Sequence, residues 1–117
     1  KLWKRYCETV ILRKFHPEFR TRAEQNGMIT PDGSFGVIST GALDEDLFVA
    51  IAESVPDGTW ELVCHPGHND AELGTVRTRL RDSREKELAV FLSPKSRDVL
   101  RTHGIELISY QEFAANQ

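Results

Sequence analysis

The pattern of apolar and polar positions changes period several times along the chain, and each change predicts an element. Residues 1–15, "KLWKRYCETVILRKF", place Trp3, Cys7, Val10, Ile11 and Phe15 at helical spacing, with Lys4, Arg5, Arg13 and Lys14 elsewhere. Pro17 predicts a break or restart, because proline has no amide to continue the ladder. A second helical stretch, about 18–26, closes at Asn26-Gly27, a pair suited to a helix C-terminus. "TPDGS" (30–34) is turn chemistry, and "FGVIS" (35–39) reads as a short buried strand. "LDEDLFVAIAESV" (43–55) is helical, with Leu43, Leu47, Ile51 and Val55 sharing one face. Its Asp44, Glu45 and Asp46 fall in the first turn, where the helix dipole favours negative charge.

"TWELVCH" (59–65) predicts the next strand, and the Gly-, Asn-, Asp- and Pro-rich 66–75 a loop. Arg77–Leu92 predicts a long helix with Leu80, Arg84, Leu88 and Phe91 roughly aligned. Ser93-Pro94 is a cap followed by proline at the first helical position, starting a short helix that ends at His103-Gly104. "IELISY" (105–110) reads as a last strand and 111–116 as a short terminal helix. Strands separated by helices predict an α/β fold with parallel strands and right-handed crossovers. About three strands with flanking helices fit a partial βα barrel-like unit, with 1–117 as a single unit. Three strands are few for a covered sheet. The chain also opens inside an amphipathic pattern, and Met28 is its only methionine. Both features predict the C-terminal portion of a larger domain.

Composition narrows the function classes. Fifteen basic against eighteen acidic residues give a formal charge of −3, which argues against a general nucleic-acid binder. No apolar run approaches the roughly 18 residues of a membrane span and no signal peptide is visible; the cysteine usage makes a reducing cytoplasm the expected location. Cys7 and Cys64 are far apart and form no CxxC pair, which argues against a disulfide framework.

Candidate chemistry concentrates in "WELVCHPGHND" (60–70). In parallel βα architectures active sites gather where strands end, and His65 stands at such an end before a sharp Pro66-Gly67 turn. An imidazole suits acid or base work near neutral pH; the plainer alternative is a loop histidine with a hydrogen bond and no chemistry. His68 and Asp70 beside it raise a local metal site, although His-x-x-His-x-Asp in a loop matches no strong signature. Cys64 reads as a small buried apolar residue, and Arg77, Arg81 and Arg84 as a solvated helix face. His16 and His103 read as helix-end residues satisfied by capping or the dipole.

"TGALD" (40–44), "GTWELVCHPGHND" (58–70), "SREKEL" (83–88), "LSP" (92–94) and "GIELISY" (104–110) together resemble the C-terminal part of the YdjC-like carbohydrate deacetylases. The resemblance covers most of residues 27–117, in order and with similar spacing. It implies a distorted βα barrel and hydrolysis of the N-acetyl group of an amino sugar or chito-oligosaccharide. It also implies a divalent metal, zinc or magnesium, held by an aspartate and two histidines. Those ligands belong to the family's N-terminal half and nothing here matches them. The metal is therefore expected in a full-length parent, with no ligand carried over to this chain, which alone would be inactive. His65 maps onto the family's His-Pro-Gly histidine, implied to be the general acid that protonates the departing amine or to stabilise the oxyanion. That role fits the chemistry, since an amine leaves badly unless protonated. Asp70 matches a common family position and would orient His65 or hold the loop. His68 stands where the family usually has tyrosine and is a candidate substrate contact.

The expected partners are an amino-sugar substrate, with no nucleic acid and no membrane. The isolated chain is expected to form a homo-oligomer through strand 35–39 or helix 1–15, using Phe35, Val37, Ile38, Trp3 and Ile11. Two other readings stay open. One is a different metal-dependent hydrolase, acting on glycosides or phosphoesters, on a similar barrel. The other is a non-catalytic, self-associating fragment.

Overall fold

The computed structural model describes the backbone of residues 2–115, and side chains for Val10 and from Phe15 to Ala115. The expectations for the side chains of Trp3, Cys7 and Ile11 lie outside the described residues. In chain order the elements are α1 (Leu2–Gln25), β1 (Gly33–Phe35), α2 (Glu45–Ser54), β2 (Trp60–Leu62), α3 (Ala71–Thr75), α4 (Asp82–Leu92), α5 (Pro94–Thr102) and α6 (Tyr110–Ala115). The class is α/β: β1 and β2 pair in parallel, with α2 as the crossover between them. The register sets Gly33 against Trp60, Ser34 against Glu61 and Phe35 against Leu62. The Asp32 N–H donates to the Thr59 carbonyl (2.8 Å) and the Val63 N–H to that of Phe35 (2.9 Å), extending the pairing at both ends.

The sequence signals for α5 act as expected and those for α2 in part: Glu45 and Asp46 lie in its first turn, whereas Asp44, expected there, stands just before it. Asp44 is the N-cap of α2, its Oδ1 accepting from the Leu47 N–H at 2.9 Å, and Glu45 and Asp46 follow in the first turn. Ser93 caps α5 ahead of Pro94, and its hydroxyl also reaches the Glu45 carboxylate, tying the start of α5 to the start of α2. Asn26-Gly27 ends α1: the Gly27 N–H donates to Glu24 O and the Met28 N–H to Ala23 O, so that two of the helix's last carbonyls are satisfied.

Four expectations are corrected. First, α1 runs through Pro17, where a break was predicted. Residues 15–19 are exposed, so a carbonyl deprived of its amide partner can be hydrated there instead of being stranded in a core. His16 is consequently mid-helix, away from any helix end. Second, the strand expected over 35–39 lies at Gly33–Phe35. Gly36 turns the chain at φ +91°, and a Cβ there would lie 2.2 Å from the Val63 carbonyl oxygen. Third, Asp82 opens the helix predicted from Arg77, and a short helix, α3, forms within the predicted loop.

Fourth, residues 105–110 form no strand, so among the described residues the sheet has two strands where about three were predicted. Two end devices leave that stretch too little chain. The Ile105 N–H closes α5 onto Leu100 O at 2.9 Å around Gly104 (φ +64°). At the other end Ser109 and Glu112 cap α6 reciprocally. Residues 105–108 instead face β2 across an open cleft of about 860 Å³, whose walls include Trp60, Leu62, Phe48 and Ile108.

The core lies between the sheet and α2, α4 and α5. Leu43, Phe48 and Val90 are buried, with Leu47, Ile51, Leu62, Cys64, Phe91, Val99 and Leu100 packed around them. Phe48 and Phe91 meet edge to face, centroids 5.6 Å apart, and Phe35 leans on Trp60 at 5.3 Å. No described helix is long and apolar enough to cross a membrane.

Candidate active site

β2 ends at Leu62, and Val63 and Cys64 carry the chain to His65 at the C-terminal end of the sheet. Cys64 is half-buried against the core, and burial together with the nearby Glu87 carboxylate pushes its thiol above the usual cysteine range. A thiol held protonated is a poor nucleophile and a poor ligand, which agrees with its reading as a packing residue. His65 is half-buried. Its ring Nδ1 is enclosed and has no hydrogen-bond partner.

What holds His65 comes from α4. Its backbone N–H donates to Glu87 Oε2 at 2.5 Å, while Glu87 Oε1 accepts from the Gly41 N–H at 3.2 Å. Glu87 is 1% exposed, the most deeply buried large side chain described. One residue of α4 thus joins the loop after β1 to the loop after β2. Gly41 is needed where it stands: its φ is +78°, and a Cβ would lie 2.6 Å from a Leu80 methyl.

The His-Pro-Gly loop is fastened along the same helix. The Gly67 N–H donates to the Arg84 carbonyl (3.2 Å), the Asn69 N–H to Glu85 Oε1 (3.2 Å), and the Asn69 side-chain amide to Asp82 Oδ1 (3.0 Å). Asp70 caps α3, its Oδ1 accepting from the Leu73 N–H at 2.9 Å, and no hydrogen bond joins it to His65. The contact observed for Asp70 is thus a helix cap. His68 is exposed at the loop's tip.

Of the three arginines expected on a solvated helix face, Arg77 is exposed ahead of α4, and Arg81 and Arg84 act on backbone carbonyls. Arg81 Nη2 reaches Gly74 O (3.3 Å) and Val76 O (3.0 Å), and Arg84 Nε reaches Leu80 O (3.0 Å). His103 is the C-cap of α5, as its place before Gly104 predicts.

Periodicity missed Glu87. Counting apolar positions puts Leu80, Arg84, Leu88 and Phe91 on the inner face of the fourth helix, whereas the buried residues of α4 are Glu87 and Val90. A buried carboxylate is invisible to a pattern that scores apolar residues. The signal was its place in "SREKEL", one of the stretches that carry the family resemblance.

Among the described residues no group of three or more His, Cys, Asp or Glu side chains is placed to hold a metal ion. His65, His68 and Asp70 are therefore not gathered into such a group.

Comparison with known proteins agrees with the resemblance. Over 92 residues, 78% of the chain, it is 30% identical to a carbohydrate deacetylase of Geobacillus stearothermophilus. The match spans 37% of that relative's length, so the chain covers little more than a third of it. No solved structure matches the chain. The model of the YdjC-like protein family matches residues 2–102, which take in β1, β2, the His65 loop and Glu87, and the chain belongs to that family.

Proposed function

We propose that the chain is the C-terminal portion of a metal-dependent carbohydrate deacetylase acting on the N-acetyl group of an amino sugar or chito-oligosaccharide. In this reading a βα barrel-like domain, and the zinc or magnesium site, are completed by sequence outside these 117 residues. His65 is the general acid. The observation that carries the assignment is the state of its ring: a strand-end imidazole with an enclosed nitrogen that no protein group engages, on a backbone fixed from α4. Amide hydrolysis ends when the tetrahedral intermediate breaks its C–N bond. The nitrogen then needs a proton, because an amide anion is a prohibitive leaving group. Protonated His65 gives that proton to the sugar nitrogen and is left neutral. His68, exposed on the adjoining turn, is the candidate sugar contact in this reading.

The test is acetate release from an acetylated chito-oligosaccharide by the full-length enzyme. His65→Ala is expected to lower turnover by roughly 10²–10⁴-fold, the usual worth of a general acid, with metal content unchanged. Full activity in that variant overturns the proposal. Loss of the metal makes His65 a ligand and overturns its role as acid. The 117 residues alone are expected to release no acetate.

A further inference from the structure

Three stretches far apart in the chain meet at the Glu87 carboxylate. Gly41 brings the loop after β1, His65 the loop after β2, and Glu87 comes from the middle of α4. The carboxylate is buried, and among the described residues no lysine or arginine pairs with it. Desolvating a charge without an opposite charge is expensive, and two backbone amides offset only part of that cost. A fold that needed only to cover this spot would do so more cheaply with an apolar side chain.

What the carboxylate provides, and an apolar group would not, is two acceptors with fixed directions. One of them ends on the residue that carries the enclosed imidazole. Both bonded amides belong to loops leaving the C-terminal ends of the strands, the side on which parallel βα enzymes place their substrates. Neither bond involves the His65 ring, so whatever Glu87 does for the chemistry it does through the backbone.

We infer that Glu87 is a positioning residue for deacetylation: it locks the His65 backbone to the loop after β1, so that the imidazole meets the departing nitrogen in one geometry. This rests on the reading of His65 as general acid. A glutamine here keeps the length and shape but has a single acceptor oxygen. Its amide group must face one of the two N–H donors, and one of the two bonds is lost. A misplacement near 1 Å costs on the order of 10²-fold in rate.

The experiment is a cycle of Glu87→Gln and His65→Ala in the full-length enzyme, with kcat and KM measured on an acetylated chito-oligosaccharide and folding followed by circular dichroism. Glu87→Gln alone is expected to lower kcat by roughly 10–10²-fold with KM nearly unchanged. In the His65→Ala background the same change is expected to have almost no further effect, because a residue that acts through another loses its influence once that one is gone. Equal losses in both backgrounds mean a general structural role and overturn the inference. So does an unchanged kcat in Glu87→Gln. If Glu87→Gln does not fold, Glu87→Asp, which keeps the charge and shortens the reach, goes through the same cycle. Failure of both to fold assigns Glu87 to stability alone and also overturns it. Full activity in His65→Ala instead overturns the function proposed above, which separates the two failures.

Discussion

Many of the polar residues in the stretches that carry the family resemblance do backbone work. Asp44, Asp70 and Ser93 each accept from an amide in the first turn of the helix they precede, and Glu87 accepts from two loop amides. Such bonds satisfy donors that a helix or a loop would otherwise leave open. This gives Asp70 a decisive test. As an N-cap, asparagine serves as well as aspartate, whereas a residue that orients a catalytic imidazole electrostatically needs its charge. Asp70→Asn in the full-length enzyme is expected to keep activity within about twofold, while Asp70→Ala costs about 0.5–2 kcal/mol of local stability. A tenfold fall in kcat for Asp70→Asn would show that the charge acts on the chemistry. The place of His65 after β2 was legible at this scale because the strand-end rule needs only a short apolar run and a Pro-Gly turn. Glu87 was not, because its partners are backbone amides 46 and 22 residues away in sequence.

Elements were legible where a local signal acts without a competitor. The Ser93-Pro94 start and the Asn26-Gly27 stop each have their partner within a few residues, and tertiary packing does not oppose them. The expected third strand failed for the converse reason. The alternation in "IELISY" suits a strand, but Ser109-x-x-Glu112 is a capping box, and a capping box starts a helix. The Ser109 N–H and Oγ–H donate to Glu112 Oε2, both at 2.7 Å, and Ser109 Oγ accepts from the Glu112 N–H at 3.2 Å. These bonds to the charged form hold the Glu112 carboxyl below the usual glutamate range. The sign follows. A folded-state value below the unfolded one gives support to α6 that is complete above the unfolded glutamate value. It is lost as pH falls through the lowered one. In a proton NMR titration, the Ser109 amide is expected to move upfield at a midpoint below that of a free glutamate, with α6 fraying over the same range. A midpoint at or above the ordinary glutamate value would mean that the box does not form in solution.

At the scale of the molecule, the chain is open. Its radius of gyration is 16.0 Å, against about 13 Å for a compact domain of this length. Part of the exposed apolar surface lies on and just beyond α1. Phe15 and Phe19, one turn apart on α1, are 60% and 63% exposed, and Met28 and Ile29 beyond the helix are also exposed. Among the described residues of α1 only Ala23 is buried. Phe35, expected at a contact between copies, is half-covered beside Trp60, which leaves α1 as the stronger adhesive surface. Side chains four apart lie on one helix face, and two phenylalanines left in water there forgo roughly 1.5–3 kcal/mol each. A twofold pairing of α1 with its copy recovers part of that, and twofold closure is the commonest solution for identical chains. We propose that the isolated 117 residues self-associate through α1. Light scattering at micromolar concentration is expected to give a mass above that of one chain, and Phe15→Glu with Phe19→Glu to return it to the monomer with the core intact. The core should be indifferent to that change, since neither ring belongs to the cluster around Leu43, Phe48 and Val90. A wild-type monomer that binds no hydrophobic dye would mean that α1 folds back on its own domain in solution, and the self-association would then be wrong.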